Sequence, residues 1–507
     1  MLLIQKTLFK YRLEILIAFV LVALYFILRL YNIMSLPIFT DEAIYVRWSQ
    51  IAKQDASWRF ISLTDGKQPM FVWIAMIMMR FIEDPLLASR LVSVSGGFFT
   101  MIGLFFLGNE LFKNKWAGFI SSFLYIIYPF ALVYDRMALY DSLVGTFAVW
   151  SLYFEVLLVR RLRLDFALIL SMVLGGGILT KTSGFFSIYL VPFLLLIFDW
   201  KKKDKHLKFL ILAALITLSI ALAYAYYSIL RLSPFFYIIN EKNALFVFPL
   251  SEWLKHPFLY FLSNLSGLWD WFITYMTWPV FLLVVLSFLI SKKFLREKVL
   301  LLAWFIVPFF ALVLFGKTIY PRFIFFMTLS LIPLAAFSIF EITEKLKNKF
   351  IAIIVVSSLL LLFIRSDWLI INDFKNAPIP VVDLDQYING WPAGGGINEA
   401  IQFFDSEASS KKIFIGTEGT FGLMPFSIEI YLKNNPNITI FGFWPVGDKP
   451  PAEIIKASKA MDTYVIFYQP CPSCSHNGGA PVSWPLVLIS QVKKGSSNYF
   501  SVYKVKP

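Results

Sequence analysis

The sequence contains few charged residues. Asp, Glu, Lys and Arg make up 15% of its 507 residues, whereas 58% are hydrophobic. A water-soluble chain of this length needs far more polar surface to cover its core. The apolar residues also fall in runs of about 15 to 20, the length at which a helix crosses ~30 Å of hydrocarbon. These features exclude a soluble globular protein and predict a polytopic membrane protein.

Cysteine is nearly absent. The sequence has only Cys471 and Cys474, spaced as CPSC. One such pair excludes a zinc site built from four cysteines. In an oxidising compartment the pair predicts either a local disulfide or two free thiols.

A signal-peptide cleavage site is also missing. The first apolar run, from about Leu13 to Leu30, is longer than the core of a signal peptide and ends in Arg29 and Tyr31 rather than in small residues. We therefore expect this run to remain as the first membrane span.

Ten further apolar runs follow, and the short loops between them alternate sharply in charge. The runs lie near 91–108, 116–134, 142–158, 166–179, 185–199, 209–229, 271–290, 299–315, 323–340 and 350–364. The net charge of +14 comes largely from every second loop, so it indicates orientation and not nucleic-acid binding. By the positive-inside rule these loops and the N-terminus are cytoplasmic.

The run 69–82 is too short for this pattern. If it crossed the membrane, every later Lys-rich loop would lie outside, so we predict an interfacial helix here and another near 43–55. The expected fold is an all-α membrane domain of eleven spans over residues 1–365. We place it in the plasma (inner) membrane, with an extracytoplasmic α/β domain over 366–507.

The C-terminal part alternates short strand-like and helix-like segments. Segments 412–416, 437–443 and 463–469 are typical of strands, segments 397–405, 421–432 and 451–460 of helices, and the end predicts a further β pair. The GTEGTFG run (416–422) follows a strand and opens a helix. It lacks GxGxxG spacing, so a tight turn is favoured over an anion site.

Ionisable residues collect in the loops predicted to lie outside. Carboxylates and cations at span ends are functional candidates. The candidates are Asp41, Glu42, Lys67, Arg90, Asp135, Arg136, Asp141, Lys181, Lys317 and Arg322. Because the positive-inside rule disfavours cations on this side, an anionic ligand in the outer leaflet is the simplest explanation for the six cations.

Each candidate also has a structural explanation. Asp41 and Glu42 could cap the following helix, Asp135 and Arg136 could form a surface pair of little energetic value, and Lys317 and Arg322 could be snorkelling anchors. The aromatic-rich segment 233–278 is typical of an aromatic belt at the membrane interface. A lid over the site or a wall on which a sugar stacks is the alternative interpretation.

The ordered set of motifs resembles the C-type membrane glycosyltransferases, in particular the branch of protein O-mannosyltransferases and bacterial aminoarabinose transferases. The resemblance covers about residues 13–340. It rests on Asp41-Glu42 after the first span, Lys67-x-Pro69, Arg90-Leu91, the segment from Tyr134 to Asp141, Thr180-Lys181, and Pro321-Arg322-Phe323.

The resemblance implies an inverting transfer of a sugar, mannose or a related one, from a polyprenyl-phosphate donor to a hydroxyl of a protein, glycan or lipid acceptor. It implies that Asp41 is the general base, with Glu42 as its acidic neighbour, and that Lys67 and Arg90 lie near the donor phosphate. Asp141 and Lys181 match the family as well, Asp141 as a further catalytic residue and Lys181 as a further donor-phosphate residue. We expect no required cofactor. If a divalent cation is used, Asp41, Glu42 and Asp135 are its candidate ligands.

Two other functions remain open. A transporter or lipid flippase commonly has internal repeats and charges near mid-membrane, whereas here we find no repeat and the charges lie at span ends. A non-catalytic receptor for a lipid-linked sugar is the other alternative. No nucleic-acid partner is expected.

Overall fold

The computed structural model describes residues 10–469, 479–495 and 498–506. Cys471 and Cys474 lie outside these residues, so their pairing stays a prediction. The chain forms two compact units. One contains the residues up to Asn32, Phe60–Phe71 and Arg90–Pro380, and the other contains Ile33–Arg59, Val72–Ser89 and the residues from Val381 onward. We call them the helical unit and the α/β unit.

The helical unit contains long apolar helices. Within the described chain, seven have the length and composition to cross a membrane: Arg12–Leu30, Pro85–Phe112, Asp141–Arg161, Lys205–Leu232, Leu295–Phe315, Pro321–Lys345 and Lys349–Asn372. An eighth candidate span is a pair of apolar helices, Phe261–Met276 and Trp278–Ile290, with a bend of 95° between them. The chain is therefore an integral membrane protein, as the apolar runs predicted.

The other three predicted spans are apolar but short or broken. Lys115–Ile126 is followed after a break by Pro129–Tyr134, because proline cannot continue the preceding helical hydrogen bonding. Leu164–Thr180 and Thr182–Leu196 have fewer than 18 residues each. All eleven apolar runs thus contain helices. In the described residues, at most eight of them are long and apolar enough to cross a membrane as one span, if the bent pair is counted as one.

The segment 69–82, predicted as an interfacial helix, contains the helix Met70–Met78, and its interfacial position stays a prediction. Met70–Met78 has 9 residues, which gives about 14 Å at the α-helical rise and cannot cross ~30 Å of hydrocarbon. Two further short helices, Ile238–Phe246 and Leu250–Trp253, lie in the aromatic-rich segment of the helical unit.

The α/β unit contains a five-stranded sheet in its described part, with strand order β2-β1-β3-β5-β4. The strands are β1 Ile413–Glu418, β2 Ile438–Phe443, β3 Asp462–Phe467, β4 Leu486–Lys493 and β5 Tyr499–Val505. Strand β1 pairs in parallel with β2 and β3, and β5 is antiparallel to both β3 and β4. The sheet thus matches the predicted strands.

Helices pack beside this sheet because each parallel connection needs a crossover. The helices of the unit include Thr40–Gln54, Ile397–Ala408, Leu423–Leu432 and Ala452–Ser458, with single helical turns at Val381–Leu384 and Asp385–Asn389. Most of helix Met70–Met78 also belongs to this unit. One core is formed by Phe414, Phe443, Ile454, Val465 and Phe467. The carboxyl end of β1 leads into the GTEGTFG turn, where Gly419 and Gly422 have positive φ.

Candidate functional site

Asp41 and Glu42 lie in the first turn of helix Thr40–Gln54, and their surroundings differ. The Glu42 carboxylate is fully buried and accepts a hydrogen bond from the backbone N–H of Phe39 at 3.1 Å. A carboxylate in this position satisfies an otherwise unpaired N–H group at the positive end of the helix. Asp41 is partly exposed. The geometry therefore assigns capping to Glu42 and leaves Asp41 as the more accessible carboxylate.

The start of this helix is held by the glycine-rich segment 390–396. The backbone N–H and the hydroxyl of Thr40 both donate to the carbonyl of Pro392, at 3.1 and 2.9 Å. Phe39 also pairs with Ala393 in an antiparallel bridge. A side chain at Gly394 would overlap the carbonyl oxygen of Ile38. The close approach of the two segments therefore requires glycine at this position.

The rest of helix Thr40–Gln54 packs on helix Leu423–Leu432. Arg47 Nε lies 2.8 Å from Glu429 Oε2, and the Gln50 amide donates to the carbonyl of Ile430 at 2.9 Å. The ring of Trp48 lies 6.1 Å from that of Phe421. The helix that carries Asp41 is thus an integral part of the α/β unit.

In the helical unit, four predicted cations lie beside aromatic rings of two segments, 246–248 and 315–323. Lys67 Nζ is 5.7 Å from the centre of the Phe246 ring and Lys317 Nζ is 5.6 Å from that of Phe248. Lys181 Nζ is 4.7 Å from the Phe323 ring. Arg322 lies 5.2 Å from the ring of Tyr320. We call Phe246, Phe248, Tyr320 and Phe323 the aromatic cluster.

The aromatic cluster is brought together by backbone pairing. Val247 and Gly316 form an antiparallel bridge, and the N–H of Lys317 donates to the carbonyl of Phe246 at 2.8 Å. The rings of Phe246 and Phe323 lie 5.8 Å apart. Segments 246–248 and 315–323, nearly 70 positions apart in the sequence, therefore present their aromatic and cationic side chains together.

The loop that carries Lys67 is fixed to the same region. Gln68 donates to the hydroxyl of Thr182 at 2.8 Å, and Thr182 Oγ1 lies 3.1 Å from the Asn243 amide oxygen. Lys242 Nζ is 2.6 Å from Asp65 Oδ1. These contacts tie residues 65–68 to the loop after Lys181 and to helix Ile238–Phe246.

Asp141 and Lys181 form an ion pair. Lys181 Nζ lies 2.8 Å from Asp141 Oδ1, and Asp141 is buried whereas Lys181 keeps about a quarter of its side-chain surface exposed. Asp141 opens helix Asp141–Arg161, and Lys181 follows the last residue of helix Leu164–Thr180. The sequence named both residues, and the structure brings them into contact.

The Arg136 side chain lies beside the C-terminal end of helix Arg12–Leu30. Its guanidinium donates to the carbonyls of Leu28 and Asn32, at 3.3 and 2.9 Å. A cation there satisfies unpaired carbonyls and the negative end of the helix dipole. Arg90 is fully buried within helix Pro85–Phe112. The phosphate role predicted for these two arginines stays a prediction.

Asp135 belongs to a buried network that sequence reasoning missed. Its carboxylate pairs with Arg29 at 3.2 Å, both side chains being fully buried. It also accepts hydrogen bonds from the hydroxyls of Tyr125 at 3.0 Å and Ser142 at 2.8 Å. The sequence signal was Arg29, a cation in the last turn of the apolar helix Arg12–Leu30.

The sequence named Asp41, Glu42 and Asp135 as the candidate ligands of a divalent ion. Among residues 10–469, 479–495 and 498–506, no group of three or more His, Cys, Asp or Glu side chains is placed to hold one ion. The Asp135 carboxylate is already engaged by Arg29 and by hydroxyl donors.

Comparisons with known proteins place this geometry in context. Residues 66–227 match the model of the dolichyl-phosphate-mannose-protein mannosyltransferase family. That stretch contains Lys67, Arg90, Asp141 and Lys181. No curated protein was found to match the chain in sequence.

Solved structures match over nearly the full chain. ArnT from Cupriavidus metallidurans superposes in its apo state with a TM-score of 0.53 and 12% identity over 97% of both chains. Bound to undecaprenyl phosphate, it gives 0.54 and 13% over 97% of this chain and 98% of ArnT. The apo oligosaccharyltransferase of Archaeoglobus fulgidus gives 0.53 and 13%, over 91% of this chain and 70% of that protein.

The resemblance stated from the sequence motifs is thus confirmed by an independent comparison of folds. At such low identity the superpositions establish the fold, and the match over 66–227 adds the sequence likeness. Together they support a glycosyltransferase. The chain has the fold of the C-type membrane glycosyltransferases, built from apolar spans and a small C-terminal sheet unit.

Proposed function

We propose that this protein is an inverting glycosyltransferase that moves a sugar from a polyprenyl-phosphate donor to a hydroxyl acceptor at the outer face of the plasma membrane. The observation that carries the proposal is the set of cations at the aromatic cluster of the helical unit. A structural relative with this fold, ArnT, has been solved with undecaprenyl phosphate bound. Mannose, or a sugar related to it, is the donor sugar that the family match favours.

The cations suit the leaving group of this reaction. As the bond between the sugar C1 and the phosphate oxygen breaks, negative charge builds on the phosphate. Fixed donors that await this charge lower the barrier because they need no reorganisation during the reaction. A unit charge 4 Å from an opposite one gains about 4 kcal/mol at an effective dielectric constant of 20. We assign this role to Lys67, Lys181, Lys317 and Arg322, and less directly to Arg90 and Arg136.

The aromatic cluster gives these cations a second property. Rings beside the Lys67, Lys181 and Lys317 ammonium groups attract each cation by about 0.5–1 kcal/mol where solvent is near. Lys181 also has a carboxylate beside it, that of Asp141, at 2.8 Å. We assign Asp141 to orient Lys181.

Asp41 is the carboxylate that we assign as the general base. An acceptor hydroxyl becomes a good nucleophile only as its proton is removed, and a positioned base typically contributes 10²- to 10⁴-fold. Glu42 is buried and engaged as a helix cap, so we assign it to hold the first turn. Attack on C1 from the face opposite the phosphate then inverts the anomeric carbon.

Neutralisation by side chains makes a metal unnecessary for a monophosphate leaving group. We therefore propose a metal-independent reaction. The acceptor is a hydroxyl of a protein, glycan or lipid, and the orientation of the membrane domain follows from the Lys- and Arg-rich loops.

The experiment that tests the proposal supplies purified protein in lipid vesicles with a panel of polyprenyl-phosphate sugars and with protein, glycan and lipid acceptors. Mass spectrometry of the products is expected to show one sugar transferred with release of polyprenyl phosphate. Movement of a labelled donor across sealed vesicles without chemical change would instead favour a flippase. Binding of donors without either result would favour a receptor.

A further inference from the structure

A buried carboxylate and a buried ammonium group lie at the carboxyl edge of the sheet in the α/β unit and influence each other electrostatically. Glu418 is the last residue of β1 and Lys494 follows β4, and their exposed fractions are 3% and 6%. Burying an ammonium group is costly unless it is paired and hydrogen-bonded. Replacement of such a pair by apolar residues is often neutral or stabilising, so fold stability alone is a weak reason for its presence.

The partners of the two groups are well defined. Lys494 Nζ donates to the carbonyls of Ala393 and Trp391, at 3.0 and 3.2 Å. The Glu418 carboxylate accepts the backbone N–H groups of Tyr468 and Gln469, at 2.8 and 3.0 Å. Its negative charge favours the protonated form of Lys494. Lys494 therefore bridges the sheet to segment 391–393.

Segment 391–393 is the same one that holds the start of the Asp41 helix. Ala393 pairs with Phe39, and the carbonyl of Pro392 accepts both the N–H and the hydroxyl of Thr40. Asp41 is the next residue along the chain. Hydrogen bonds therefore connect the Lys494 ammonium to segment 391–393. Further hydrogen bonds connect this segment to Thr40, the residue immediately before Asp41.

We infer that Lys494, supported by Glu418, is a positioning residue that holds the Asp41 carboxylate in its catalytic orientation through segment 391–393. This inference rests on the proposed function, because it assigns Lys494 to the base of that reaction. Charge-assisted hydrogen bonds are about twice as strong as neutral ones. The ammonium thus fixes segment 391–393 more firmly than a neutral side chain would.

The same geometry gives a pH dependence. Burial lowers the pKa of the Lys494 ammonium to about 8, against the opposing effect of the Glu418 carboxylate. The other titratable group at the ammonium is Tyr468, whose ring centre is 5.7 Å away. Burial raises the pKa of Tyr468 to about 12, so it stays neutral. Below pH 8 Lys494 is charged, and above it the charge is lost, so transfer is expected to slow as the pH rises through this value.

The test compares full-length wild type with K494M and E418Q, and uses K493M as the matched control because Lys493 is the exposed neighbour of Lys494. Displacing a catalytic group by about 1 Å costs up to roughly 10²-fold. We therefore expect K494M to lower kcat by about 10- to 100-fold, with little change in KM for the polyprenyl-phosphate sugar. K494M should also lose the alkaline decline near pH 8, and K493M should behave as wild type.

E418Q provides an independent readout, because it removes the charge that raises the pKa of Lys494 while a side-chain oxygen remains for Tyr468 and Gln469. Its alkaline decline is expected at lower pH than in wild type. Hydrogen–deuterium exchange at the Thr40 amide is expected to be faster in K494M, because its acceptor, Pro392, is less firmly held.

An unchanged kcat in K494M, or a wild-type pH profile in E418Q, would overturn the inference. If K494M does not fold, the E418Q profile decides. Parallel assays separate this inference from the proposed function. If wild type is active, D41N is inactive and K494M is fully active, only the Lys494 role fails. An inactive wild type with every donor sugar would overturn both.

Discussion

Replacement of Arg29 by methionine tests whether Asp135 serves the fold and not the chemistry. Arg29 and Asp135 are fully buried and 3.2 Å apart, and Arg29 also donates to the carbonyls of Ile126 and Tyr125. Removing one partner of a buried pair leaves an uncompensated charge and costs about 3–5 kcal/mol. Asp135 retains hydroxyl donors from Tyr125 and Ser142, which favours the lower half of that range.

The double variant R29M/D135N separates the charge from the packing. With both charges of the Arg29–Asp135 pair removed, its loss of stability is expected to be smaller than that of R29M, with a coupling energy of at least about 1 kcal/mol. The assay is thermal unfolding of the purified variants in one detergent, followed by tryptophan fluorescence, with and without added Mg²⁺. Exposed Arg231 supplies the control R231M.

Two results would refute the reasoning. If R29M were as stable as wild type, the pair would not be the energetic centre of this network. If Mg²⁺ stabilised R29M strongly and wild type not at all, Asp135 would be a metal ligand once its arginine is removed.

Three further predictions concern the site itself. K67A is expected to raise KM for the donor more than it lowers kcat in steady-state kinetics. K255A, which replaces an exposed lysine of the same unit, is the control. A lower kcat with an unchanged KM in K67A would count against a phosphate role. G394A should lower kcat by about tenfold or more, since its new methyl group collides with Ile38, whereas G447A, which has space, should retain activity in the same assay. Dialysis against EDTA should leave the rate unchanged, and loss of activity that Mn²⁺ or Mg²⁺ restores would contradict the metal-independent reaction.

Local patterns predicted much of this structure. The eleven apolar runs all contain helices, and the strand-like segments 412–416, 437–443 and 463–469 coincide with β1, β2 and β3. These features depend on residues close together in the sequence, so periodicity and hydropathy are sufficient to find them.

Hydropathy could not predict where apolar runs break. The pair Phe261–Met276 and Trp278–Ile290 bends at Thr277, which has a φ of 56°. Hydropathy measures composition and is insensitive to the backbone angle of one residue. Within the described residues, fewer helices are long and straight enough to cross a membrane than there are apolar runs.

Contacts between residues far apart in the chain could not be predicted from the sequence either. Phe39 and Ala393 pair across more than 350 positions, and Arg29 reaches Asp135 across 106. The cations and the aromatic residues of segment 233–278 were both visible in the sequence, but nothing local indicated that Lys67 would lie at Phe246. Pairings of this kind arise from tertiary packing, which a single sequence does not encode as a pattern.

The most direct test of the account is a comparison of D41N with wild type in two assays on the same preparation, binding of a labelled polyprenyl-phosphate sugar and transfer of its sugar. D405N, a neutralised exposed aspartate of the same unit, serves as the control. The account predicts that D41N binds donor as wild type does and loses about 10²- to 10⁴-fold in transfer rate. Transfer by D41N at the wild-type rate would contradict the assignment of Asp41 as the base.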